Sequence, residues 1–199
     1  MGYAARQVAM TAEDFLVWEA GQTERHDFVD GEVFAMAGAE ARHINASGNI
    51  YIALRQHLSG TPCRTFMADM KVAAADERSF FYPDVVVTCS TVDRTSQLLV
   101  TREPTLIAEV LSPSTAAYDL GGKFAHYRQI PTLREIAFID LDARRADVYR
   151  KGADGLWVLH PFDAGADVRL ASVDLTITAA ALFAEVDEAP GEAGLPVPA

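Results

Sequence analysis

The sequence predicts an α/β fold of three layers, with helices packed on both faces of a mixed central sheet. Three observations lead there. Helical and strand-like patterns follow one another in the core order helix, three strands, helix, strand, as expected when helices cover a sheet. The chain has 199 residues, which suits one domain over 10–187 with flexible ends at 1–9 and 188–199. Hydrophobic residues make up 50 % and charged residues 23 %, ordinary globular usage that gives a core of normal size.

Each element has a local reason. Thr11-Ala-Glu-Asp14 has the form of a capping box and opens a helix that carries Phe15, Leu16, Trp18 and Glu19 and ends at Gly21. In HDFVDGEVFAM, Asp30-Gly31 separates two alternating runs, a hairpin signal because the favoured two-residue turn needs positive φ at both positions. From Ala41 to Leu58, the residues Ile44, Ile50, Tyr51, Leu54 and Leu58 form the apolar face of a second helix, which Gly60 stops. CRTFMADMKVAA, FFYPDVVVTC and TLIAEVLS then read as three strands. A third helix runs from Thr115 to Gln129, and Pro131 ends it. REIAFIDLD, ADVYRKG and LWVLHPF are further strands, the last two joined as a hairpin through Gly152 to Gly155. VDLTITAAALFAEV closes with a strand and a short helix. Phe15, Trp18, Phe138 and Phe162 are expected in the core.

Composition narrows the function. Seventeen basic and 28 acidic residues give a net charge of −11, which opposes binding to nucleic acid by overall charge. A local basic groove, or metal ions on a carboxylate cluster, would reverse that field locally. No apolar run approaches the roughly 20 residues that span a bilayer. The N-terminus lacks the apolar centre of a signal peptide, so the expected location is the cytoplasm, with no membrane partner. Cys63 and Cys89 are too few for a disulfide framework and too far apart for a zinc knuckle, and read as small buried residues.

Asp84 opens the valine run of FYPDVVVTC, after a proline tolerated at the first residue of a strand. It is either a turn residue or one arm of a metal site. Glu109 sits late in an apolar strand, where an acid needs a partner; Arg102 or Arg134 would supply a salt bridge. Two carboxylates side by side repel, and a divalent cation removes the repulsion by using their oxygens as ligands. Asp119, Lys123 and Tyr127 are spaced by four and share one helix face. Lys123 then either pairs with Asp119 at the surface or turns toward the carboxylates, where it would orient a water or stabilise developing charge. Asp69-Met-Lys71 is an acid–lysine pair on one strand face, but it precedes Asp84. Ser112 and Ser114 lack the G-x-S-x-G surroundings of a nucleophile elbow. His126 and Tyr127 pack or line a groove.

The segments ERHDFVDGEVFAMAG, ADMKV, YPDVVV, EVLSPST and DLGGKFAHYRQIPTLREIAFID resemble the Uma2 family, also called DUF820, of the PD-(D/E)xK nuclease superfamily. The resemblance covers residues from about 10 to 160. It implies a restriction-endonuclease-like fold with an αβββαβ core, and a Mg²⁺ (or Mn²⁺) site with Asp84 and Glu109 as ligands. It implies a metal-dependent endonuclease acting on DNA. The superfamily lysine stands two residues after the second acid, where this chain has Leu111, so Lys123 on the helix inherits the role. Glu32 is suggested as an additional acid, and His43 as a group touching phosphate or a metal-bound water. Cutting both strands of a duplex takes two sites, so a homodimer is expected, with the hairpins at 27–37 and 147–160 as candidate interfaces. Two alternatives stay open: a non-catalytic binding or regulatory protein on the same fold, and a hydrolase of another phosphoester.

Overall fold

The computed structural model describes residues 10–36, 38–95 and 97–187; the ends expected to be flexible lie outside the described residues. The first helix, α1 (Ala12–Glu19), opens on the predicted capping box, with both reciprocal hydrogen bonds formed. β1 (His26–Val29) and β2 (Glu32–Ala35) form the predicted hairpin. Asp30 and Gly31 take φ of 48° and 96°, the turn that matches the twist of the flanking strands. The second helix, α2 (Ala41–His57), follows; of its expected apolar face, Ile50, Leu54 and the adjoining Leu58 are buried and Tyr51 is half-buried, whereas Ile44 is exposed.

The next stretches depart from expectation. CRTFMADMKVAA is two strands, β3 (Arg64–Met67) and β4 (Lys71–Ala73), broken at Ala68 with φ of 55°. FFYPDVVVTC likewise divides into β5 (Ser79–Phe81) and β6 (Val85–Thr88). The two breaks lie opposite each other: Met67 pairs with Val85, and the Ala68 amide donates to the Asp84 carbonyl at 3.1 Å. Pro83 has no amide to donate, so the ladder stops there. The paired strands therefore leave one sheet and enter another, and Asp84 stands at the crossing.

β7 (Val100–Thr101) and β8 (Pro104–Leu111) come next, followed by α3 (Ala116–Tyr118), a π-turn over Asp119–Lys123, and α4 (Phe124–Tyr127). The chain continues through β9 (Glu135–Asp140), β10 (Arg145–Lys151), β11 (Trp157–Phe162), β12 (Val168–Leu170), β13 (Leu175–Ile177) and α5 (Ala179–Leu182). The main sheet has the order β11-β10-β9-β8-β6-β3; β8 and β9 are parallel and the other neighbours antiparallel, a mixed sheet as predicted. A second sheet, β2-β1-β5-β4-β7, is an addition the sequence reading did not separate from the first.

Three apolar layers follow from alternation along the strands. Val85, Val87, Leu106, Ala108 and Val110 face α2, through Ala46, Ile50 and Leu54. Val86, Ile107, Ile136 and Phe138 face the opposite way, against Tyr127, Ile130 and Leu133. Phe15, Phe28 and Phe80 join α1 to the second sheet, with Phe15 stacked on Phe28 at 4.6 Å. Each such fully buried large side chain stabilises by about 1.5–3 kcal/mol. Of the other aromatics expected inside, Phe138 is buried, while Trp18 and Phe162 are half-buried.

The cysteines correct the sequence reading. Cys63 and Cys89 form a disulfide. Antiparallel register sets Arg64 against Thr88, so the next pair outward is Cys63 against Cys89. The separation of 26 residues gave no hint of this, because the pairing of β3 with β6 is a tertiary event. Among the described residues, no helix is long and apolar enough to cross a membrane.

Candidate active site

Asp84, Glu109, Lys123 and His43 meet at one cleft of about 1130 Å³. Glu109 occupies the sixth position of β8 and is 3 % exposed. Alternation turns it away from α2, toward the face covered by the π-turn and α4. Asp84 lies on the neighbouring chain crossing, 25 residues earlier. The two segments are stitched together: Val110 N–H donates to Asp84 Oδ2 at 2.7 Å, and Asp84 N–H donates to Glu109 Oε2 at 3.4 Å.

Lys123 comes from the helix. Its Nζ lies 3.3 Å from Glu109 Oε1, 3.3 Å from Asp119 Oδ1 and 3.9 Å from Asp27 Oδ2. The surface pair with Asp119 and the inward orientation are thus both present, and the pair itself is buried. Four residues of α-helix overshoot a full turn by about 40°. The wider π-turn takes up that overshoot, which keeps Asp119, Lys123 and Tyr127 in line over Glu109. Gly122 leaves room for the turn against Tyr118. A Cβ on Gly122 would lie 2.7 Å from the ring of Tyr118. Tyr127 O–H completes the set by donating to Glu109 Oε1 at 2.7 Å.

His43, on the first turn of α2, places Nε2 2.9 Å from the Val110 carbonyl and 3.4 Å from Asp84 Oδ2. Asp27 was missed by the sequence reading. It is buried on β1, accepts from Tyr82 N–H at 3.1 Å and faces Lys123. Its signal was an acid inside the apolar alternation of HDFV. Glu32, the additional acid the resemblance suggests, is exposed and does not line the cleft. The hairpin register explains the difference. Asp27 pairs with Phe34 and Val29 with Glu32, so Glu32 shares the face of Asp27 but stands at the turn, roughly 7 Å further along the strand.

The decoys separate cleanly. Asp69 is exposed and pairs with Arg25, while Lys71 points to the Tyr82 hydroxyl at 3.1 Å. Arg102 pairs with Glu77, and Glu109 takes Lys123 in place of either arginine. Ser112 and Ser114 line the cleft and bond to each other, and Ser112 also bonds to Thr115. His126 packs on the Phe81 ring at 5.3 Å.

The electrostatics follow from burial and charge balance. Burial pushes Glu109 up to about 8; Lys123 opposes, while Asp84 and Asp119 add to the rise. Burial also raises Asp27, against the pull of Lys123. Burial alone would lower Lys123, but Glu109, Asp27 and Asp119 hold it well above its ordinary value. Burial would lower His43 too, and the bond and charge of Asp84 outweigh it, so its pKa is raised. Four carboxylates, those of Asp27, Asp84, Glu109 and Asp119, thus surround one lysine.

This donor set fits a divalent cation of the magnesium type. Asp84 Oδ1 has no protein partner among the described residues, and Glu109 Oε2 has only the long contact to the Asp84 amide. No group of three or more His, Cys, Asp or Glu side chains among the described residues is placed to hold a metal. Two carboxylates are what magnesium uses when water and phosphate oxygens complete its shell.

Residues 12–180 match the model of the Uma2 family, whose description is "Putative restriction endonuclease". The chain belongs to the Uma2 family. Two relatives from Synechocystis sp. are similar along most of their length. "Uncharacterized protein slr1290" is 34 % identical over 174 residues, covering 87 % of this chain and 91 % of the relative. "Uncharacterized protein sll1609" is 39 % identical over 152 residues, covering 75 % and 85 %. Among solved structures, a "putative nuclease belonging to DUF820" from Anabaena variabilis superposes with a TM-score of 0.72 at 16 % identity, over 89 % of this chain and 99 % of that one. The likeness shows the fold of this Uma2 chain, which is restriction-endonuclease-like.

Proposed function

We propose that this protein is a metal-dependent endonuclease that hydrolyses phosphodiester bonds of DNA, with Mg²⁺ or Mn²⁺ held between Asp84 and Glu109. The observation that carries the reading is the arrival of Lys123 Nζ 3.3 Å from Glu109 Oε1, beside the carboxylate of Asp84. An acid at the crossing between the sheets, a strand acid and a lysine from another element thus meet in one cleft. When bound, the cation supplies polarisation of the phosphate and acidification of a water. Lys123 keeps its proton and offers a positive charge where negative charge develops on the phosphate. Asp84 and Glu109 orient the reacting centre. His43, half-buried and shared between Val110 O and Asp84, holds a proton within reach of the cleft. Glu32 belongs outside this machinery.

One observation favours the non-catalytic alternative. Acidic residues outnumber basic ones nine to three in the cleft lining, a field that opposes a polyanion unless cations enter with it. For the duplex to be cut on both strands, we propose a homodimer with the β1–β2 and β10–β11 hairpins as contact elements.

The test is incubation with supercoiled plasmid and with single-stranded DNA, plus Mg²⁺ or Mn²⁺. Wild type should nick the plasmid, and Asp84→Ala, Glu109→Ala and Lys123→Ala should each lose about 10²–10³-fold in rate. Cleavage unchanged in all three variants would place the chemistry elsewhere. An inactive wild type that still binds Mn²⁺ would favour the non-catalytic alternative. A monomer in light scattering would remove the dimer.

A further inference from the structure

We infer that Tyr127 is a positioning residue that sets which oxygen of Glu109 is offered to the cation, an inference that rests on the metal-site reading above. Each carboxylate of the pair is engaged mainly through one oxygen. Asp84 commits Oδ2, to Val110 N–H at 2.7 Å and to His43 at 3.4 Å. Glu109 commits Oε1, to the Tyr127 hydroxyl at 2.7 Å and to Lys123 at 3.3 Å. The opposite oxygens, Asp84 Oδ1 and Glu109 Oε2, are left as the two donors a shared ion can use.

Of the two groups on Oε1, Tyr127 fixes the orientation. Lys123 is divided among Glu109, Asp119 and Asp27, and its stem is flexible. The Tyr127 hydroxyl makes the shortest bond on Glu109, and its ring is 0 % exposed, packed edge-on against Phe81 at 5.4 Å. A ring locked by packing holds its hydroxyl at a fixed point, and a buried carboxylate follows a fixed donor. Outer partners of metal ligands act in this way, by orienting the ligand without touching the ion.

The experiment is calorimetric titration of Mn²⁺, without DNA, into wild type, Tyr127→Phe and Phe81→Leu. Tyr127→Phe keeps the ring and should bind about 10- to 100-fold more weakly. Phe81→Leu loosens the ring but keeps the hydroxyl itself, and should lose clearly less affinity than Tyr127→Phe. Tyr127→Phe within twofold of wild type overturns the inference, and so does an equal loss in Phe81→Leu, which would reduce Tyr127 to packing. A wild type that binds no Mn²⁺ sinks the metal reading and this inference together, whereas full binding in Tyr127→Phe sinks this inference alone. A measurement that needs no variant to fold is the ring ¹³Cζ resonance of Tyr127 in wild type. Mg²⁺ saturation should shift it as charge is drawn from its acceptor, and an unmoved resonance overturns the inference.

Discussion

Glu109 and Glu135 stand on neighbouring parallel strands, and both are buried, at 3 % and 0 % exposure. They occupy opposite ends of the sheet and opposite situations. Glu135, at the start of β9, receives Arg150 Nε at 2.7 Å, Ser172 Oγ at 2.7 Å, and the amides of Ala171 and Ser172 at 3.0 and 2.9 Å. Its charge is matched by one arginine and its oxygens are satisfied by fixed donors. Glu109 shares one lysine with Asp27 and Asp119 and lies beside Asp84, so its end of the sheet carries more negative charge than the protein neutralises. Burial is common to the two. Under-compensated charge belongs to one, and it is what marks a site for an external cation or proton.

The comparison breaks most readily at Glu135. Glu135→Ala leaves Arg150 and three further donors without their acceptor, and should cost about 3–5 kcal/mol in a urea melt. Glu109→Gln should cost less than about 1 kcal/mol at pH 7, because an acid pushed up to about 8 is already mostly neutral there. Equal costs would mean that the two acids play the same structural part.

The disulfide sharpens the contrast between the edge of the sheet and its charged end. Cys89→Ser opens a loop of 26 residues and should lower the stability of the oxidised protein by about 3 kcal/mol, without changing Mn²⁺ affinity. A shift in Mn²⁺ affinity would show that the β3–β6 edge reaches Asp84.

The pH dependence should belong to the Glu109 end. Its folded pKa of about 8 lies above the ordinary 4.5, so its stabilising contribution is full below about 4.5 and is lost as pH rises through about 8. On the proposed metal reading, a cation between Asp84 and Glu109 would displace the same proton. Mn²⁺ affinity should therefore rise by roughly tenfold per pH unit between 6 and 8 and level off above. Glu109→Gln should flatten that slope, and a slope that survives would assign the proton to another group. The smallest effect is expected at the hairpin tip. Glu32→Ala should change stability by less than about 0.5 kcal/mol and leave Mn²⁺ affinity as it is; a tenfold loss would bring the tip into the site.

Much of this protein was legible along the chain because its signals are local. The capping box of α1, the Asp30-Gly31 hairpin, the apolar face of α2 and the strand that ends in Glu109 each depend on a few neighbouring residues. The pairing of Asp84, Glu109 and Lys123 was legible through resemblance, and the spacing by four put Asp119, Lys123 and Tyr127 on one face. What the chain left open is long-range. Two apparent strands divide between two sheets, because a proline and a positive φ interrupt both ladders at the same level. Cys63 meets Cys89 only once β3 lies against β6. Asp27 outranks Glu32 only once the hairpin docks with one end on Lys123 and the other in solvent. Sequence alone determined the residue types and their local geometry. The tertiary structure decided which charges are left uncompensated, since the Coulomb balance of a buried group depends on neighbours that the chain brings from far away.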